Sequence, residues 1–128
     1  MKILSYLYLL AADRDYRLIR THEGGLAEIA HGKPKAAADR VHHIDGHSTK
    51  EELEHADFAR QAATAMAAEW ARGVYDRIVI AAGPKMLGLI REALPKALLP
   101  HVTVELHKDL VKVPLHDLPS HFGAVPVI

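Results

Sequence analysis

The chain has no cysteine among its 128 residues. Disulfides, thiol nucleophiles and thiolate metal sites are therefore all excluded. It also has no net charge, because sixteen basic residues balance sixteen acidic ones. That balance argues against a chain-wide nucleic-acid footprint and leaves room only for a local basic patch. No apolar run reaches the ~20 residues a membrane helix needs. Lys2 followed by Ile3 to Ala12 has the outline of a signal peptide, but Ser5, Tyr6 and Tyr8 interrupt it and no small-x-small cleavage site follows. A first buried strand explains it better. The expectation from these features is a cytoplasmic protein of one domain without a membrane partner.

Several catalytic signatures are missing too. There is no HExxH, no Gly-x-Ser-x-Gly elbow, no GxGxxG and no GxxxxGK[ST]. Ser5, Ser48 and Ser120 stand in no triad context. Nothing calls for a cofactor. Ten histidines invite a metal, yet none of the usual ligand spacings occurs, and no metal ligand set is assigned.

What is present is a strand-to-helix unit. Ile78 to Ala82 is a continuous apolar run, the pattern of a strand covered on both faces. Gly83 permits a sharp exit, and Pro84 has its φ preset for the first turn of a helix. Leu87, Ile90 and Leu94 follow at helical spacing. Open α/β sheets place their sites at the carboxyl ends of such strands. Gly83 and Lys85, at the helix start, are accordingly candidate phosphate contacts.

Upstream, Ile3–Ala12, Tyr16–Thr21 and Leu26–Ala30 read as three strands joined by Asp13-Arg14-Asp15 and Glu23-Gly24-Gly25, an antiparallel meander. Ser48 or Thr49 is expected to cap a long helix ending at Gly73, with Glu51 or Glu52 completing a capping box. Its apolar stripe is Phe58, Ala59, Ala62, Ala63, Met66 and Trp70. His101–Leu106 reads as the last strand and Pro114–Phe122 as a short helix. The apolar tail from Gly123 to Ile128 is expected either to fray or to add an edge strand. The expected fold is α/β: a single three-layer domain over residues 1–128 with a mixed sheet, the meander preceding βαβ units in the order βββαβαβα.

Residues 31–50 lack periodicity. Loops of this length inside a domain are usually functional or mobile. Lys33, Lys35, Arg40 and Lys50 face only Asp39 and Asp45, and His42, His43 and His47 add titratable cations. Lys33, Lys35, Arg40, His42, His43, Gly46, His47 and Ser48 are the expected binding residues, since basic loops contact phosphates without needing a special fold. Asp13, Asp15, Asp76 and Asp109 lie near strand ends, where turn and cap roles are the ordinary ones. Asp76 precedes its strand, so it belongs at the opposite edge from Gly83.

Five stretches resemble the bacterial host-attachment protein family. They are Ala12-Asp13-Arg14, Asp39-Arg40 with Gly46, Phe58-Ala59, the run Tyr75–Ala81 with the later Leu87-Gly88 pair, and Lys108-Asp109-Leu110. The resemblance implies a ribonuclease H-like fold similar to the central domain of archaeal and eukaryotic release factors and of Pelota. In that domain a basic loop before the long helix carries Gly-Gly-Gln. Here Gly46-His47-Ser48 takes its place. The resemblance thus implies a non-catalytic binder of ribosome or tRNA. The alternatives are a protein–protein module in surface-related processes, or a hydrolase with His47 as general base.

Overall fold

The computed structural model describes residues 4–33 and 50–122. Its five strands are β1 (Tyr6–Ala11), β2 (Tyr16–His22), β3 (Gly25–Gly32), β4 (Arg77–Ala82) and β5 (Val102–Leu106), and its helices are α1 (Lys50–Trp70), α2 (Pro84–Ala93) and α3 (Leu118–Phe122). They form one mixed sheet in the order β3-β2-β1-β4-β5. β1 pairs antiparallel with β2 and β2 with β3, whereas β1–β4 and β4–β5 are parallel. This is the single α/β domain expected, with the meander preceding the parallel half.

The alternation of side chains along the central strands explains the layers. Leu7, Leu9 and Ala11 of β1, with Ile78, Ile80 and Ala82 of β4, face α1 and α2. Tyr6, Tyr8 and Leu10, with Val79 and Ala81, face the segment Leu110–Phe122, which forms the second covering layer. Every residue of β1 is buried, as a strand covered on both sides must be. Phe58, Ala59, Ala62, Ala63 and Met66 bury one stripe of α1. The alanines let the helix lie close to the sheet, while Trp70 stays half-exposed at its end. Tyr8 stacks on Phe122 with ring centroids 4.7 Å apart, fixing the second layer to the middle of the sheet.

Arg17 is the one buried charged residue among those described. It points from β2 into the second layer. Its Nε donates to Glu28 Oε1 at 2.6 Å, and its Nη1 donates to the Val111 and Val113 carbonyls at 2.9 and 2.6 Å. A guanidinium has enough donors in a fixed fork to satisfy all three acceptors at once. These contacts fasten the irregular first part of the covering segment, ahead of α3, to the sheet.

Several local expectations shift. β3 runs on to Gly32, so His31 and Gly32 are strand rather than loop, held there by pairing with Arg17 and Tyr16. Gly32 is where only glycine fits: an added Cβ would meet the Tyr16 ring at 2.3 Å. The tight β2–β3 turn has Glu23 and Gly24 at φ 48° and 81°, the two positive values of a type I′ turn, and Gly25 already pairs with His22. His101 belongs to a 3₁₀ turn rather than to β5, and the last helix is split into a 3₁₀ turn at Leu115–Asp117 and α3. The proposed caps Ser48 and Thr49, and the edge-strand role of Gly123–Ile128, fall outside the described residues.

Both sheet edges carry a register shift, between Leu18 and Ile19 on the β2–β3 side and between Ile78 and Val79 on the β4–β5 side. Bulges twist an edge away from incoming strands. Docking by strand addition is thereby disfavoured, and the ends of the sheet become the surfaces of interest.

Candidate docking end of the sheet

The carboxyl ends of the parallel strands lie in one row. Gly32 pairs with Tyr16, Tyr16 with Ala11, and Ala11 with Ala82, while Leu106 pairs with Ala81. Four connections therefore open at this end: the β1–β2 turn, the exit of β3, the β4–α2 turn and the exit of β5. The start of α1 reaches the same end. A helix of 21 residues is about 31 Å long. β1 has six residues and spans about 20 Å, so the first turns of α1 overhang the sheet.

Two histidine–aspartate contacts clasp the β1–β2 turn to its neighbours. His31 Nε2 donates to Asp15 Oδ2 at 2.9 Å, tying the turn to β3. His55 Nε2 lies 4.0 Å from Asp13 Oδ2, linking it to α1. The turn is closed by the Ala12 N–H, which donates to the Asp15 carbonyl at 2.9 Å. Asp109 Oδ1 accepts from the Val111 N–H at 3.2 Å, an Asx-type contact that shapes the exit of β5 and leaves Lys108 exposed.

Of the residues expected to bind, Lys33 sits exposed at the exit of β3, and Gly83 and Lys85 lie at the start of α2. Gly83 is extended at φ −60° and its carbonyl accepts from the Leu87 N–H at 2.9 Å, so it serves as the helix cap. Pro84 occupies the first helical position. Lys35, Arg40, His42, His43, Gly46, His47 and Ser48 lie outside the described residues. Asp76 is at the other end, as its place before β4 required. It accepts from the Ser5 N–H at 2.8 Å and fastens the start of β4 to β1.

Sequence reasoning missed His31, His107 and Lys108 as members of this end. Their signal was positional: each stands at the carboxyl exit of a strand, and only the strand order shows which exits are neighbours. Among the described residues no group of three or more His, Asp or Glu side chains is placed to hold a metal ion.

The opposite end has a different character. Glu69 accepts hydrogen bonds from Tyr75 Oη and from Arg72 Nη1. Burial acts to raise the Glu69 carboxyl, but the hydrogen bonds from Tyr75 and Arg72 and the charges of Arg72 and Arg20 outweigh it, holding the group below its ordinary value. Burial, then the bond to Glu69, pushes Tyr75 up to about 12. Trp70 stacks on Tyr75, with centroids 6.4 Å apart, and meets His101 at a tilt, 4.8 Å away. A shallow groove of about 440 Å³ lies between α2 and β5, where Arg91 Nε and Glu105 Oε2 are 3.2 Å apart. Its charged lining residues already satisfy each other.

Fold and end geometry together define a mixed α/β domain that presents a polar, connection-built surface at the carboxyl ends of its parallel strands. The chain belongs to the family of proteins required for attachment to host cells, whose sequence pattern matches residues 9–122. No curated protein matches it significantly. Among solved structures it is similar to one described as an archaeal protein, with a TM-score of 0.58 and 12% identity, covering 97% of this chain and 34% of the other. A structure of the Aquifex aeolicus PPX-GPPA enzyme shows a looser likeness, with a TM-score of 0.39 and 9% identity, covering 82% of this chain and 36% of that one. The chain thus spans about a third of the length of either. At such identities the archaeal likeness speaks for the fold alone. Among the described residues no helix is long and apolar enough to cross a membrane.

Proposed function

We propose that this domain is a binding module of the cytoplasm that docks a partner protein at the carboxyl end of its sheet, in the surface-related processes that give the family its name. The observation that carries this reading is the charge at that end. The fixed cations come from four connections and the helix start: Arg14, Lys33, Lys50, Lys85 and Lys108. They are matched by Asp13, Asp15 and Asp109 and by Glu51, Glu52 and Glu54 of α1. The interval 34–49 adds Lys35 and Arg40 against Asp39 and Asp45 and so contributes no net fixed charge. A surface that grips phosphodiesters needs an excess of cations, because its affinity comes from neutralising phosphates. A surface with interspersed charges of both signs suits the polar rim of a protein interface.

A second reading, contact with ribosome or tRNA, is favoured by the run of basic residues in the sequence, Lys33, Lys35 and Arg40 with His42, His43 and His47, and by the resemblance to release-factor central domains. The two readings separate in one experiment. The tagged protein is cross-linked in its own cells and recovered, beside a Lys85→Glu/Lys108→Glu variant and an Arg91→Glu control in the α2–β5 groove. The proposal expects a defined protein partner that is lost with the double variant and kept with the control. Recovery of ribosomal components, or a partner indifferent to the double variant, would contradict it.

A further inference from the structure

Gly88 stands in the middle of α2, exposed and at a φ that is not positive. A Cβ added there meets nothing within 4 Å. Neither a turn nor a close approach among the described residues calls for glycine at this place. A glycine inside a helix nonetheless costs roughly fivefold in the folding equilibrium against alanine. Bare helix backbone repays that cost when another surface comes down on it from outside. Arg91 lies one turn further along α2 on the same face, and it lines the shallow groove between α2 and β5. Leu99 and Val102, both half-buried, give this groove of about 440 Å³ its apolar part. β5 is the outer strand of the described sheet on this side. Thr103 falls at its register shift and donates to the Ile78 carbonyl at 3.3 Å, so side chains rather than a regular strand edge face outward.

The charges of the groove select its occupant. Arg91 Nε lies 3.2 Å from Glu105 Oε2, and among the described residues neither group has another partner. The pair uses one guanidinium nitrogen and one carboxylate oxygen. Both Nη groups of Arg91 and Oε1 of Glu105 are left for an outside group. One cation beside one anion offers little to a partner strongly charged in either sense. Its complement is a surface with the same two charges in reverse order, and a two-fold axis supplies that order from the chain itself.

The geometry points to a two-fold homodimer built on this flank: α2 of each copy enters the α2–β5 groove of the other, the helices approach at Gly88, and each Arg91 reaches the Glu105 of the second copy. Two intrachain pairs then join into one ring of four alternating charges. Leu99 and Val102 are covered in the same step, which adds apolar burial to the polar contact. This goes beyond the reading that a partner docks at the carboxyl end of the sheet and does not depend on it.

The test is sedimentation velocity of the whole protein over a dilution series. The parent should show a concentration-dependent monomer–dimer equilibrium. Arg91→Glu and Glu105→Arg should each loosen it by about tenfold or more, because like charges then meet across the axis. An equimolar mixture of these two single variants should form the dimer again, since the chain with two carboxylates faces the chain with two guanidiniums. A pair that acts only within its own chain gives no such rescue. Gly88→Gln should also loosen the dimer by about tenfold, while the dilute monomer unfolds at no lower urea concentration than the parent. Lys112→Glu, exposed on the covering segment, should leave the dimer as it is. Circular dichroism verifies that each variant is folded. The inference fails if the parent stays monomeric up to roughly 0.1 mM, if either reversal leaves the dimer intact, or if the mixture stays monomeric. It fails equally if Gly88→Gln dimerises as tightly as the parent or if Lys112→Glu abolishes association. The cross-linking experiment of the preceding subsection reads a different surface. There Arg91→Glu keeps the docked partner although it loses the second copy, so failure of either result leaves the other standing.

Discussion

Replacing Arg17 with methionine is the sharpest perturbation of the fold. The substitution keeps most of the side-chain volume and removes every donor. Two carbonyls, Val111 and Val113, then lose partners at 2.9 and 2.6 Å, while Glu28, 36% exposed, is released to water. The buried Val111 carbonyl left unsatisfied costs about 1–3 kcal/mol and the part-buried Val113 carbonyl less, so the pair gives roughly 2–5. Removing the arginine from a site where it is 8% exposed recovers part of its desolvation cost. A net loss of about 3 kcal/mol is expected, a large share of the ~5–15 kcal/mol of a typical domain. Arg17→Lys keeps the charge but not the fork and should lose about half as much. Urea unfolding measures the loss. Native-state hydrogen exchange locates it, because the Val113 and Asp117 amides, bonded to the Leu110 and Pro114 carbonyls, should exchange well before the α1 core. Arg17→Met within about 0.5 kcal/mol of the parent, with unchanged exchange at Val113, would refute the reasoning.

Other outcomes follow from single sites. Glu23→Asn should stabilise the protein by about 0.5–1 kcal/mol in thermal or urea unfolding, because Glu23 is held at φ 48° and asparagine tolerates that region. Gly32→Ala should destabilise by roughly 1–3 kcal/mol, since the new methyl displaces the Tyr16 ring from its place beside Phe58, with visible loss in near-ultraviolet circular dichroism. Tyr8 and Tyr75 are both raised to about 12, chiefly by burial. The unfolded chain releases their protons near pH 10 while the folded one retains them, so stability falls as pH rises from about 10 to 12. Stability measured across that range should fall less steeply in Tyr8→Phe; an equal slope would show that Tyr8 does not contribute. The Glu69 carboxylate works in the other direction. Its lowered value gives stability present above the ordinary carboxylate range and lost as pH falls through it.

The elements that could be read from the sequence are those whose signal is local. β4 is a closed apolar run ending at Gly83-Pro84, and α1 repeats its alanine stripe from Phe58 to Met66, so both stand where periodicity placed them. Boundaries moved where a partner strand decided them. Gly32 looks like a loop residue until Tyr16 lies over it, and His101 looks like a strand residue until the 3₁₀ turn claims it. Arg17 could not be read at all, because its acceptors are backbone carbonyls ninety-four and ninety-six residues away. The docking end was half legible. Gly83 and Lys85 followed from the strand-to-helix unit, whereas His31, His107 and Lys108 became neighbours only through the order of the strands.

The central claim is that a partner docks where the parallel strands end. Hydrogen exchange of the protein with and without the partner recovered by cross-linking tests it most directly. The account predicts slowed exchange at residues 12–16, 83–87 and 106–111, with 69–77 at the far end unchanged. Protection confined to 69–77 and the Trp70–His101 stack would contradict it.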